Sequence, residues 1–89
     1  MINFVWDSKF KRNYKKLIKQ NPYLKELIFE KFEMFSVDPF SSELKTHKLK
    51  GKLKEYWAFF VEYALRVIFR FINDKNVLLI DIGNHKKVY

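Results

Sequence analysis

The stretch YWAFFVEYALRVIFRFINDKNVLLIDI, residues 56–82, decides the architecture. Tyr56–Glu62 and Arg66–Ile72 are rich in aromatic and β-branched side chains. They read as two strands of a hairpin around a tight turn near Tyr63-Ala64. Asn73-Asp74-Lys75-Asn76 collects turn-forming residues. Val77–Ile82 then reads as a third strand, and its nearly continuous apolar run predicts burial on both faces.

Toward the N-terminus the period changes. Phe10, Tyr14, Leu17 and Ile18 recur at helical spacing, with lysines on the far side. Asp7 or Ser8 caps this helix, and Asn21-Pro22 ends it. Pro22 suits the first turn of a second helix, where its missing N–H costs nothing. Leu24, Leu27, Ile28, Phe32 and Phe35 form the second apolar stripe, broken at Asp38-Pro39. Residues 2–6 read as one more short strand. The expected order is β-α-α-β-β-β in an α+β fold. A small antiparallel sheet with an N-terminal strand carries an antiparallel two-helix hairpin packed on one face.

Composition narrows the function classes. A chain of 89 residues is one domain, taken as 1–89. With 48% hydrophobic and 31% charged residues it is globular, and two Gly and two Pro leave no long flexible linker. No Cys is present, which excludes disulfides, thiolate chemistry and sulfur-ligated metal. No apolar run reaches the roughly 18 residues of a membrane span. Met1–Asp7 lacks a basic segment leading into an apolar one, so no signal peptide and a cytoplasmic location are expected. Aromatic residues, at 19%, supply much apolar area to a domain too short to bury it otherwise.

The net charge is +8, and it is clustered. Lys9, Lys11, Arg12, Lys15, Lys16 and Lys19 form one acid-free run; Lys45, Lys48, Lys50, Lys52 and Lys54 form another, together with His47. Such clustering predicts a polyanionic partner, phosphate above all, the alternative being solubility alone.

Several short runs then point to a family. Asp38-Pro39-Phe40, Glu43-Leu44, His47-Lys48-Leu49-Lys50-Gly51, Tyr56-Trp57, Leu65-Arg66-Val67-Ile68-Phe69, Ile82-Gly83-Asn84-His85 and Val88-Tyr89 follow one another in an order that resembles the RelE/ParE toxin superfamily. More narrowly, the chain resembles the RelE-type mRNA interferases (YoeB- and YafQ-like) of type II toxin–antitoxin pairs. The resemblance spans essentially the whole chain. It implies the fold read above, metal-independent endoribonuclease activity on mRNA in the ribosomal A site, and an antitoxin partner, commonly acidic and partly disordered.

Metal-free RNA cleavage needs a base for the ribose 2′-OH, an acid for the leaving 5′-oxygen, and fixed positive charge for the phosphorane-like transition state. His85 matches the family's C-terminal histidine and titrates near neutrality; the alternative is a surface histidine. Arg66 falls on the arginine that is catalytic in the YoeB-like branch, and its fork suits phosphate oxygens. Its alternative is a salt bridge to Glu62. Glu43 falls on that branch's general base, or is a loop carboxylate. His47 matches a catalytic position of the YafQ-like branch, or hydrogen-bonds backbone to shape its loop. Tyr89 stacks on a base or packs on the core. Lys48, Lys50, Lys52 and Lys54 alternate, and if extended line one face along an RNA backbone; otherwise they are a solvated loop. The lysines of the first helix suit ribosomal RNA, and Trp57 is read as core.

The pattern also departs from the YafQ-like branch. Where that branch carries a strand histidine, a turn aspartate and an arginine, this chain has Phe60, Ala64 and Asp81. The set Glu43, Arg66 and His85 fits the YoeB-like arrangement better. No Asp/Glu cluster has metal-ligand spacing, so no metal site or small-molecule cofactor is expected. A ParE-like inhibitor of DNA gyrase, or a nucleic-acid-binding relic without catalysis, would share the fold.

Overall fold

A computed structural model describes residues 2–51 and 55–84. The chain runs β1 (Asn3–Trp6), α1 (Ser8–Gln20), α2 (Leu24–Val37), a 3-10 turn (Ser42–Leu44), β2 (His47–Lys48), β3 (Trp57–Glu62), β4 (Leu65–Phe71) and β5 (Asn76–Asn84). The sheet order is β1-β5-β4-β3-β2. β5 through β2 are antiparallel, whereas β1 lies parallel to β5, with Phe4 opposite Val77 and Trp6 opposite Leu79. The expected α+β architecture is therefore present with a mixed sheet. The helical hairpin carries the chain across one face of the sheet, and such a crossover is what permits parallel pairing. β2 was not anticipated, because two residues are too short to show an alternation.

The helix boundaries follow local chemistry. Asp7 caps α1, its carboxylate accepting from the Lys9 backbone N–H at 3.0 Å. At the other end the Asn21 N–H donates to the Leu17 carbonyl at 2.9 Å, and Pro22 lies in the link before α2. α2 closes at Asp38, whose N–H reaches the Met34 carbonyl while its side chain accepts from the Phe40 N–H at 3.0 Å. Among the described residues no helix is long and apolar enough to cross a membrane.

Both helices pack on the same sheet face. Phe10 from α1, Phe35 from α2, Phe59 from β3 and Phe69 from β4 are all fully buried. Phe35 meets Phe69 edge-on at 5.0 Å and Phe59 at 5.1 Å, while Phe4 stacks on Phe32 at 4.8 Å. Such pairs add about 0.5–1.5 kcal/mol each beyond their burial. Trp57 is half-buried at the core's edge, 5.5 Å from Phe71. Among the described residues, the opposite face carries a small cluster of Leu49, Ala58 and Ile68, with Tyr56 and Ile80 against it.

A bulge in β5 divides these faces. Ile68 is opposite Asp81 and Phe69 is opposite Leu79, so Ile80 is an extra residue. Val77 and Leu79 join the core before it, and Ile82 joins it after. Beside the bulge, Asp81 is buried and accepts from the Asn13 side-chain amide at 2.6 Å and from the Ile82 N–H at 2.8 Å. Lys9 lies 3.2 Å from its other oxygen. A buried carboxylate survives only with such partners, and these clamp α1 onto the sheet. Replacing Asp81 by Ala should lower stability by about 1–3 kcal/mol. A thermal melt should then fall by on the order of 10 °C. An unchanged melt would show that the clamp contributes nothing.

Candidate active site

The less covered sheet face brings sequence-distant groups together. Residues opposite one another on neighbouring strands project to the same side. Phe60 on β3 is opposite Arg66 on β4, and Arg66 is opposite Gly83 on β5. One step along the sheet, His47 on β2 is opposite Ala58 on β3, which is opposite Ile68 on β4. His47 and Arg66 therefore stand on one face, two strands and two residues apart. That is on the order of 12 Å between backbones, a gap that two long side chains narrow.

Arg66 is half-buried, and its guanidinium lies over the Phe60 ring, 5.0 Å from the centroid. Its one described hydrogen bond is a long one, 3.4 Å, to the Leu65 carbonyl. The salt bridge to Glu62 does not form. The Glu62 carboxylate instead accepts from the Tyr23 hydroxyl at 2.8 Å, tying the α1–α2 link to the β3–β4 hairpin. Among the described residues no carboxylate pairs with Arg66.

His47 is exposed, and its Nδ1 donates to the Lys45 carbonyl at 2.9 Å. The backbone bond weighed as an alternative role is thus real. It also sets the tautomer: a neutral ring with its proton on Nδ1 carries its basic lone pair on Nε2. The carbonyl belongs to a residue with left-handed backbone, Lys45 at φ 49°. The Lys45 ammonium lies 5.0 Å from the same Phe60 ring that Arg66 covers. Exposed cation–π contacts are worth about 0.5–1 kcal/mol each. Repulsion between the two cations is of the same order, so this arrangement adds little to stability.

The other nominated residues fall elsewhere. Glu43 is exposed on the 3-10 turn and pairs with no described cation. Leu49 is buried between exposed Lys48 and Lys50, so the alternation expected of this stretch is present where it is described. Its polarity is the reverse of a catalytic groove's: Lys48 is opposite Trp57 and shares the helix side of the sheet, away from Arg66. Lys52, Lys54, His85 and Tyr89 lie outside the described residues. β5 ends at Asn84, opposite Leu65 and one residue from Arg66.

Sequence reasoning missed Lys45, because nothing in its type announces a left-handed position. Of the three departures from the YafQ-like pattern, Phe60 carries both cations, Ala64 takes the hairpin turn at φ 65°, and Asp81 clamps α1. A groove of about 440 Å³ between α1 and the end of β5, lined by Lys9, Lys16, Asp81 and Asn84 among others, opens on the helix side. Among the described residues no three His, Asp or Glu side chains gather as a metal site.

A family model described as a bacterial toxin of type II toxin–antitoxin system, YafQ, matches residues 2–89. No curated protein sequence matches the chain. Similar solved structures include a metal-bound toxin from Helicobacter pylori, 23% identical with a TM-score of 0.82 and covering 100% of both chains. YafQ from E. coli is 16% identical with a TM-score of 0.76, covering 100% of this chain and 99% of that one. The toxin–antitoxin complex YoeB–YefM from Staphylococcus aureus is 17% identical with a TM-score of 0.77, covering 96% and 98%. At these identities the likeness is one of fold.

The Tyr23–Glu62 contact has a measurable signature. The hydrogen bond to Glu62 first, then burial, then the carboxylate's charge raise the Tyr23 phenol above its ordinary value. The raised value means that the neutral phenol is favoured in the fold. This contribution is present below the ordinary tyrosine pKa and lost as pH rises through the folded one. In an ultraviolet titration, Glu62→Gln should shift downward the transition that Tyr23→Phe removes. Identical midpoints in wild type and Glu62→Gln would contradict the assignment.

Proposed function

The chain belongs to the YafQ family of bacterial toxins of type II toxin–antitoxin systems, and on that premise we propose that it is an endoribonuclease that cleaves mRNA in the ribosomal A site. The observation that carries this reading is the pairing on one sheet face of an oriented histidine and an arginine that has no carboxylate partner among the described residues. An arginine held for structure would be neutralised, as Lys9 is by Asp81.

The reaction needs no group beyond the chain and its RNA. His47 Nε2 takes the proton of the ribose 2′-OH, whose oxygen attacks the adjacent phosphorus in line. The Arg66 guanidinium binds the equatorial oxygens as their charge grows, a contribution made mainly in the transition state. His85, the next residue after the end of β5, protonates the departing 5′-oxygen. The products are a 2′,3′-cyclic phosphate and a 5′-hydroxyl. Glu43, the other candidate base, has no described contact that draws it to this face, so His47 takes that role. Lys48, Lys50, Lys52 and Lys54 contact RNA outside the cleavage site and Tyr89 stacks on a base, as the family resemblance implies. The toxin acts in the cytoplasm, where ribosomes are. Its antitoxin is an acidic segment that covers Arg66 and His85.

Primer extension on an mRNA translated in vitro tests the reading. Wild type should give codon-spaced, ribosome-dependent cleavage. His85→Ala, His47→Ala and Arg66→Ala should each lower it by roughly 10²–10⁴. Full cleavage by His47→Ala, with loss in Glu43→Ala, would move the base to Glu43. No cleavage by folded wild type would overturn the nuclease reading, and a supercoiling assay would then test gyrase inhibition.

A further inference from the structure

The Phe60 ring carries two cations, and the nuclease reading uses only one of them. We propose that Lys45 and Arg66 together clamp one RNA phosphodiester above Phe60, and that the left-handed backbone of Lys45 fixes this clamp relative to His47. This inference rests on the proposal that the site acts on RNA.

Three observations converge. Both cations lie 5.0 Å from one ring centroid, so they are within twice that distance of each other. Among the described residues neither has a carboxylate partner. Two such cations repel, and a phosphodiester between them turns that repulsion into attraction to a shared anion. The fork of arginine and the compact ammonium of lysine are complementary here, one holding two oxygens and the other approaching a third position.

The backbone supplies the third observation. Lys45 adopts φ 49° and ψ 39° at the end of the 3-10 turn. Side chains other than Gly, Asn and Asp rarely take that conformation. If the turn alone mattered, glycine would serve better, so the side chain itself accounts for lysine at this place. The same conformation directs the Lys45 carbonyl to His47 Nδ1. One residue thus sets both the direction of His47 and the position of the second cation.

Lys45→Gly separates the two roles. It keeps the left-handed backbone, and with it the carbonyl that holds His47, while removing the ammonium. The probe is a short fluorescein-labelled 2′-O-methyl RNA, which binds but cannot be cleaved, followed by anisotropy at several KCl concentrations. Relative to wild type, Lys45→Gly should reduce the slope of log K against log salt by about 0.7, the value of one phosphate contact on a single strand. Lys45→Arg should retain the slope. The melting temperature of Lys45→Gly should equal or exceed that of wild type, because glycine relieves the backbone.

An unchanged slope in Lys45→Gly, with wild type binding normally, would overturn the clamp and leave the nuclease reading standing. No RNA binding by folded wild type would overturn the clamp, and primer extension with ribosomes would decide separately whether the nuclease reading falls with it. A slope unchanged for RNA but reduced for a polyglutamate peptide would assign the two cations to an acidic protein segment, and this also overturns the proposal.

Discussion

Everything described here depends on where the phenylalanines go. Four of them, from α1, α2, β3 and β4, meet in one fully buried cluster on one side of the sheet. Leu24, Ile28, Leu44, Val61, Val67 and Leu79 are buried around them in the same cluster. Committing both helices to that side leaves the other sheet face, among the described residues, with a small apolar cluster of Leu49, Ala58 and Ile68. The chemistry-bearing side chains occupy the remainder of that face. The proposed site is the part of the sheet that, among the described residues, the core does not use.

A second constraint sets which residues reach that face near the end of β5. Without the extra residue at Ile80, strict alternation would put residue 83 on the core side with Val77 and Leu79. The bulge reverses the parity, so Ile82 enters the core and Gly83 comes opposite Arg66. A one-residue irregularity thus decides what stands beside the arginine and how the strand approaches its end at Asn84. Asp81, adjacent to the bulge, then fixes the strand to α1 through Asn13 and Lys9.

Much of the fold was legible because its signals are local. The aromatic and β-branched runs at 56–62, 66–72 and 77–82 marked three strands to within about two residues, the usual fraying of element ends. The two helices were marked by apolar period, by the Asp7 cap and by Asn21-Pro22. The parallel placement of β1 was not legible, since no residue in Asn3–Trp6 records its neighbour. The candidate site residues came from a resemblance rather than from a local pattern. Arg66 and His47 do share a face, but Lys45 was invisible because its importance lies in a dihedral angle. For Lys48 and Lys50 the alternation was legible but not the side, because alternation shows that residues share a side without showing which one. Asp81 was read as a gap in a catalytic pattern, whereas its carboxylate holds the first helix in place.

The parallel pair at the sheet's edge has a consequence for biosynthesis. β1 is the first strand to be made, but its partner is Asn76–Leu79, in the last described strand. Synthesis proceeds from the N-terminus, and β1 has no other strand beside it in the sheet order. It therefore waits until residues 76–79 have been made, and β4 waits for the same strand on its far side. A growing chain holds the helices and the β3–β4 hairpin before it holds a finished sheet. Arg66 acquires its β5 neighbour only then. The polypeptide thus cannot assemble the proposed site until residues 76–84 have been made and have docked between β1 and β4.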